Sequence, residues 1–136
     1  IMIKDVVSFT PFPSEDGPGD YGMVLLLKEN AAKRLAARFS ALLERDFRSG
    51  HGIADYAQAL GVTPTHLTRA CRESCSRSAS DLLQDRRHYE SCRLLSETQA
   101  PVKDIATALG FTSAAYFTRS FHQRTGKTPS EFRKRA

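Results

Sequence analysis

The sequence predicts an all-α protein. It has two tandem helix-turn-helix subdomains joined by a long connector helix, behind a short irregular or strand-like N-terminal arm. Three observations predict it. Apolar residues recur at three- and four-residue spacing from about residue 31 onward. Glycines and Thr-Pro pairs punctuate that pattern where helices should stop and start. And one motif occurs twice: Asp55-Tyr-Ala-Gln-Ala-Leu-Gly-Val-Thr63 returns as Asp104-Ile-Ala-Thr-Ala-Leu-Gly-Phe-Thr112. After one inserted residue the match resumes, with Leu67-Thr-Arg-Ala-Cys71 against Phe117-Thr-Arg-Ser-Phe121. It closes with Ser80-Asp-Leu82 against Ser130-Glu-Phe132.

Residues 1–30 differ from the rest. Ile3-Lys-Asp-Val-Val-Ser-Phe9 has strand-like composition, and Pro11, Pro13, Gly17, Pro18 and Gly19 break any regular element after it. Met23-Val-Leu-Leu-Leu27 is a short apolar run that periodicity leaves open between a buried strand and the start of a helix. The segment is too short to build its own core, so it reads as an arm or as the remnant of an upstream regulatory domain.

From about Ala31 the pattern is helical. Leu35, Phe39, Leu42, Leu43 and Phe47 form one apolar face through about Arg48, and Ser49-Gly-His-Gly52 ends that helix. Ile53–Leu60 is a short helix and Gly61 supplies the turn, where positive φ is cheap without a Cβ. Thr63 is a good N-cap, and Pro64 suits the first helical position of a helix running to about Cys75. The connector follows from Ala79 to Ser96, anchored by Leu82, Leu83, Leu94 and Leu95, and Pro101 breaks the chain. The second unit repeats the design: a helix over Val102–Leu109, a turn at Gly110, an N-cap at Thr112 and a helix to about Thr125. Gly126 stops it, and Thr128-Pro-Ser-Glu131 is a capping box that starts a last short helix. The organisation is therefore an arm over 1–30 and a dual unit over 31–136. Within that unit the first module is 31–78, the connector 79–96 and the second module 102–136.

The charge is unevenly spread. Two lysines and five acids give residues 1–30 a net −3, against +5 for the whole chain, so the remainder carries +8. A basic folded region is the electrostatic footprint of a polyanion binder. A helix-turn-helix places its second helix in the DNA major groove, so two copies on one chain suggest one protein reading two successive grooves. No apolar run approaches the ~20 residues that cross a membrane, and the start lacks the pattern of a signal peptide. Cys71, Cys75 and Cys92 are odd in number and lie in helical sequence, which suits a reducing cytoplasm better than a disulfide framework.

The second module resembles the DNA-binding domain of AraC/XylS-type transcriptional regulators. The residues that carry the resemblance are Ile105-Ala-Thr-Ala-Leu-Gly-Phe111, Tyr116-Phe-Thr-Arg-Ser-Phe121 and Thr125-Gly-Lys-Thr-Pro-Ser-Glu-Phe-Arg133. The first module, with Leu60-Gly61, Leu67, Arg69 and the long connector, fits less tightly but in register. The resemblance covers about Ala31 to Ala136 and not the first thirty residues. It implies two modules joined by the 79–96 helix, with recognition helices about one DNA turn apart on one face. It implies double-stranded DNA and RNA polymerase as partners, with activation the usual outcome. It also implies a small-molecule effector acting only through a separate domain not present here, and a homodimer made through an upstream region. Two departures stand out. Cys71 occupies a place usually held by a large apolar residue, and Ser76 one usually held by Gly, so a smaller first core and a different helix exit are expected. Ala114 and Ala115 stand where many relatives carry polar base-reading side chains.

The candidate DNA-binding residues are Thr65, His66, Thr68, Arg69 and Arg72 on the first recognition helix. Ser113, Ala114, Ala115, Tyr116, Thr118, Arg119 and His122 are their counterparts on the second. Arg69 and Arg119 occupy equivalent places, where an arginine reaches guanine O6 and N7 in bidentate fashion; phosphate contact or a surface salt bridge is the plainer alternative. Small alanines can abut thymine methyls, or serve as neutral filler. Arg86, Arg87 and Arg93, with Lys127, Arg133, Lys134 and Arg135, are candidates for phosphates. Each alone reads first as a solvated charge; together they predict salt-dependent affinity. Cys71 aligns with Phe121, so a buried thiol packing as a small hydrophobe is the favoured reading. Zinc would want four ligands with paired spacings that are absent, and no cofactor or metal is implied. No phosphate loop, nucleophile elbow or paired-His metal helix appears, so an enzyme is not expected. Two rivals remain: an architectural DNA-coating protein, and a DNA-repair methyl acceptor, which would need a zinc-bound cysteine cluster.

Overall fold

Helices form wherever the local signals ask for them. The structure, a computed structural model, describes residues 19–135, with side chains from Asn30 onward. Among these residues there are seven helices: α1 (Gly19–Asp46), α2 (Ile53–Leu60), α3 (Pro64–Cys75), α4 (Ala79–Glu97), α5 (Val102–Ala108), α6 (Ala114–Thr125) and α7 (Pro129–Arg135). The all-α, dual helix-turn-helix expectation holds.

Two expectations need correction. The first helix starts at Gly19, not near Ala31, so residues 19–30 continue into it instead of ending an irregular arm. Met23–Leu27 is helix, because no Pro or Gly from Met23 to Asp46 interrupts the hydrogen-bond ladder. The strand-like Ile3–Phe9 lies outside the described residues. The second correction is the cap of α6. Ser113, not Thr112, is the N-cap, and its Oγ accepts the Tyr116 N–H at 3.0 Å. The inserted residue explains it. Thr63 caps α3 through the His66 N–H at 3.1 Å, and the helix that follows repeats at the later register, where Ser113 is the equivalent of Thr63.

The first module packs α1 chiefly along α3, with α2 closing the side. Ala32, Leu35, Phe39, Leu43 and Phe47 of the α1 stripe are buried against Tyr56, Ala57, Leu67, Ala70 and Cys71. Phe39 meets the Tyr56 ring edge-on at 5.6 Å. In the second module the core is aromatic. Phe111, Phe117, Phe121 and Phe132 touch in series, with centroids 5.0, 5.9 and 5.4 Å apart. Losing either buried phenylalanine of that core, Phe117 or Phe121, would cost about 3–5 kcal/mol.

The helix exits keep the repeat despite the sequence change. Ser76 adopts the left-handed conformation (φ 63°) and donates its N–H to Arg72 O, as Gly126 (φ 78°) does to His122 O. The different exit expected at Ser76 is therefore not found; serine takes the glycine conformation and bears its strain. The repeated aspartate does differ. Asp55 accepts the Gly52 N–H at 3.1 Å, but Pro101 stands before Asp104 and has no N–H to give.

The connector α4 packs on α3, α5 and α7. Its buried side carries Glu90, only 2% exposed. Three arginines surround this carboxylate: Arg93 beside it on α4, Arg86 at 3.3 Å, and Arg48 from the turn after α1 at 3.1 Å. Hydrogen bonds from Arg93 first, then Arg48 and Arg86, outweigh burial and hold the Glu90 carboxyl down to about 2. A depressed carboxylate contributes stability that is present above its unfolded value of 4.5 and is lost as pH falls towards 2. Glu90→Gln should therefore destabilise the domain by about 2–4 kcal/mol at pH 7. Urea unfolding of both proteins should show that gap closing between pH 4.5 and pH 2; a gap constant across that window would disprove the ionic origin.

Candidate nucleic-acid interface

The second helix of each helix-turn-helix unit is pinned by its apolar side and presents the other. On α3, Leu67, Ala70 and Cys71 are buried, while Thr65, His66, Arg69 and Arg72 are exposed and Thr68 is half-buried. On α6, Phe117 and Phe121 are buried, while Ser113, Ala115, Tyr116, Arg119 and His122 are exposed and Ala114 and Thr118 are half-buried. Every predicted residue thus lies on the surface or at its edge, and none is lost to the core. Ser113 differs in role, since its hydroxyl is engaged as the cap.

Arg69, Arg72 and Arg119 form no ion pair with any described residue. Arg119 lies 6.0 Å from the centroid of the Tyr116 ring, which is itself 46% exposed. An open groove runs along α6, lined by Ala114, Ala115, Thr118, Arg119, His122 and Gln123. A second lies between α1 and α3, where His66, Arg69 and Glu73 face Ala31 and Ala32. Gln123 was missed in the sequence, although its position one turn after Arg119 places it on the same face.

The connector arginines are a different matter. Arg86 forks onto Glu44 with both contacts at 2.8 Å and lies over the Phe47 ring. Arg93 pairs with Glu90 and Glu97. Arg87 donates to Phe47 O at 3.3 Å and His51 O at 3.2 Å. Arg133 donates to Leu95 O at 3.1 Å. In this structure these guanidinium groups are engaged with acceptors of the protein itself. Lys134 and Arg135 remain exposed. Asp85 adds a link that the sequence did not signal, taking Arg77 beyond α3 at 2.7 Å and Arg124 in the last turn of α6. Burial opposes ionisation there, but the two arginines hold its carboxyl below the ordinary range.

Cys71 is fully buried, and burial with the neighbouring Cys75 pushes its thiol up to about 11. Cys75 is exposed and its Sγ–H donates to Cys71 O at 3.2 Å. Among the described residues no cluster of His, Cys, Asp and Glu could hold a metal ion, and no helix is long and apolar enough to cross a membrane.

This arrangement, two helix-turn-helix units in tandem on one basic chain, defines a dual helix-turn-helix DNA-binding domain. A family profile described as a helix-turn-helix domain matches residues 56–135. The arabinose operon regulatory protein of Escherichia coli (strain K12) is 34% identical over 85 residues, covering 62% of this chain and 29% of that protein. The C-terminal domain of AraT, a response regulator from Geobacillus stearothermophilus, superposes with TM-score 0.71 at 25% identity, over 75% of this chain and 85% of that one. A DNA-binding transcriptional dual regulator from Escherichia coli K-12 superposes at 0.63 with 26% identity, covering 74% and 90%. The chain belongs to the AraC-type helix-turn-helix family, whose matched members are transcription regulators and not enzymes. It spans under a third of the length of the arabinose regulator it matches.

The thiols should be chemically distinct and irrelevant to DNA affinity. A small alkylating reagent at pH 7 should modify Cys75 first and Cys71 only on unfolding, with DNA binding unchanged. Mass spectrometry beside a binding titration checks this; a redox-reversible affinity change in protein that circular dichroism shows to be folded would overturn it.

Proposed function

We propose that residues 31–136 form the sequence-specific DNA-binding unit of a cytoplasmic transcription activator, with α3 and α6 entering two successive major-groove segments of a promoter-proximal site. The observation that carries this reading is the duplicated face. Arg69 and Arg119 stand at equivalent positions, unpaired, above buried residues that fix each helix. The connector of 19 residues is about 28 Å long at 1.5 Å per residue. That length suits reading helices one duplex turn, about 34 Å, apart. One chain then carries two readers, and its site needs no two-fold axis.

The two halves differ in chemistry. The α3 face offers Thr65, His66, Arg69 and Arg72, all polar. The α6 groove combines Ala114, Ala115 and the Thr118 methyl with Arg119, so its discrimination rests on one arginine and on apolar contact with thymine methyls. RNA polymerase is the proposed downstream partner. Response to a small molecule and dimerisation are assigned to regions outside these residues.

Selection of bound sequences from a random pool tests the reading. The expected site is asymmetric, with a strongly specified half and a weaker half about ten base pairs away. Arg69→Ala and Arg119→Ala should each relax preference in their own half by about 1–3 kcal/mol. Replacing thymine by uracil should weaken binding in the α6 half alone. Diffuse coverage without a motif would favour an architectural protein, and a perfect palindrome bound only by a dimer would defeat the one-chain reading.

A further inference from the structure

The two modules touch at a point that the repeat alone does not explain. Gly61 and Gly110 are the same residue of the repeated turn, both with positive φ, 76° and 85°. Around Gly61 an added Cβ would meet nothing within 4 Å. At Gly110 it would lie 2.5 Å from Gly50 N and 2.8 Å from both Arg48 O and Gly50 Cα. The backbone of the second module's turn therefore rests directly on the loop that ends α1 of the first. All the obstructing atoms are main chain, so no side-chain rotation could make room.

Arg87 fastens the same junction. Its guanidinium donates to Phe47 O and His51 O, on either side of Gly50. It also faces the ring of Phe111, the residue after Gly110, 5.7 Å from its centroid. Phe111 in turn packs on Phe117 and Tyr116 of α6, at 5.0 and 5.9 Å. A continuous set of contacts thus runs from the first module's loop, through Arg87 and Phe111, into the second reading helix.

We propose that Arg87 and Gly110 are spacing-determining residues: their clasp sets the separation and rotation of α3 and α6 and so restricts the chain to one half-site spacing. This rests on the two-segment reading above. One inserted base pair moves the second half-site by about 3.4 Å and turns it by roughly 35°. Hydrogen bonds to base edges do not survive such a shift in a rigid reader. A chain with a loosened junction can follow the DNA, at some loss of preorganisation.

The test uses the full chain and fluorescence anisotropy. The duplexes carry the two selected halves at the selected spacing, and at one or two base pairs more or less. Duplexes with a single half serve as reference. The wild type should lose about tenfold or more in affinity for each off-spacing site, the scale of one lost bidentate contact. Arg87→Ala and Gly110→Ala should flatten that penalty to roughly twofold, while single-half affinity stays near wild type. Gly61→Ala imposes similar left-handed strain without an intermodule clash, and should keep the wild-type profile. If both junction variants bind all spacings more weakly but with the wild-type slope, the junction is merely structural and the inference is wrong. If the wild type itself shows no spacing dependence, the two-segment reading fails and the clasp fails with it.

Discussion

Burial of Glu90 constrains the middle of the molecule. A carboxylate removed from water to that degree stays ionised only in the company of cations, and one cation would leave oxygen lone pairs unsatisfied. Arg93 and Arg86 come from its own helix, but Arg48 comes from the turn after α1. The connector thereby becomes attached by charge to the turn that follows the long helix of the first module. Arg86 extends the attachment to Glu44 and lies over Phe47, so the acid, its arginines and a core ring form one assembly. Arg87, the next residue, donates to the Phe47 and His51 carbonyls at the intermodule junction.

This arrangement redistributes the basic charge. The region after residue 30 carries +8, yet the connector arginines are engaged with carboxylates and carbonyls of the protein itself. Exposed cations without an ion pair among the described residues are Arg69 and Arg72 on α3, Arg119 on α6, Lys33 and Arg38 on α1, Lys103 on α5, and Lys134 and Arg135 at the end of α7. Net charge draws the chain towards a polyanion in general, and the internal pairing decides which surface presents that charge. Fewer phosphate contacts should form than the count of basic residues suggests, and the salt dependence of binding should be correspondingly shallow.

The repeat is a repeat of backbone and not of environment. Cys71 stands where Phe121 stands, and is buried in the same core cluster as the α1 stripe of Leu35, Phe39 and Leu43. Ser76 stands where Gly126 stands and takes the same left-handed exit at the cost of strain. Gly61 has open space around it, whereas Gly110 is held against another stretch of backbone. One duplicated unit has thus acquired two different sets of neighbours.

Much of the fold and of the candidate surface was legible in the residues. Stripe periodicity, Thr63-Pro64, Thr128-Pro-Ser-Glu131 and the turn glycines act within about four residues along the chain, so they specify helices wherever tertiary contacts do not oppose them. The repeat likewise set Arg69 and Arg119 at equivalent places on the two candidate recognition helices, and the alignment of Cys71 with Phe121 pointed to a buried thiol. The α6 cap was misplaced by one residue because two hydroxyls stand side by side and only the register of the following helix separates them. The start of α1 was misplaced because an apolar run carries no period. What the tertiary structure alone decided was the company each charge keeps. Glu90 with Arg48, and Arg87 with Phe47 and His51, are 36 to 42 residues apart in sequence. No local pattern encodes such pairs: they exist because the fold brings the turn after α1 against α4, and that approach turns expected surface arginines into internal ties.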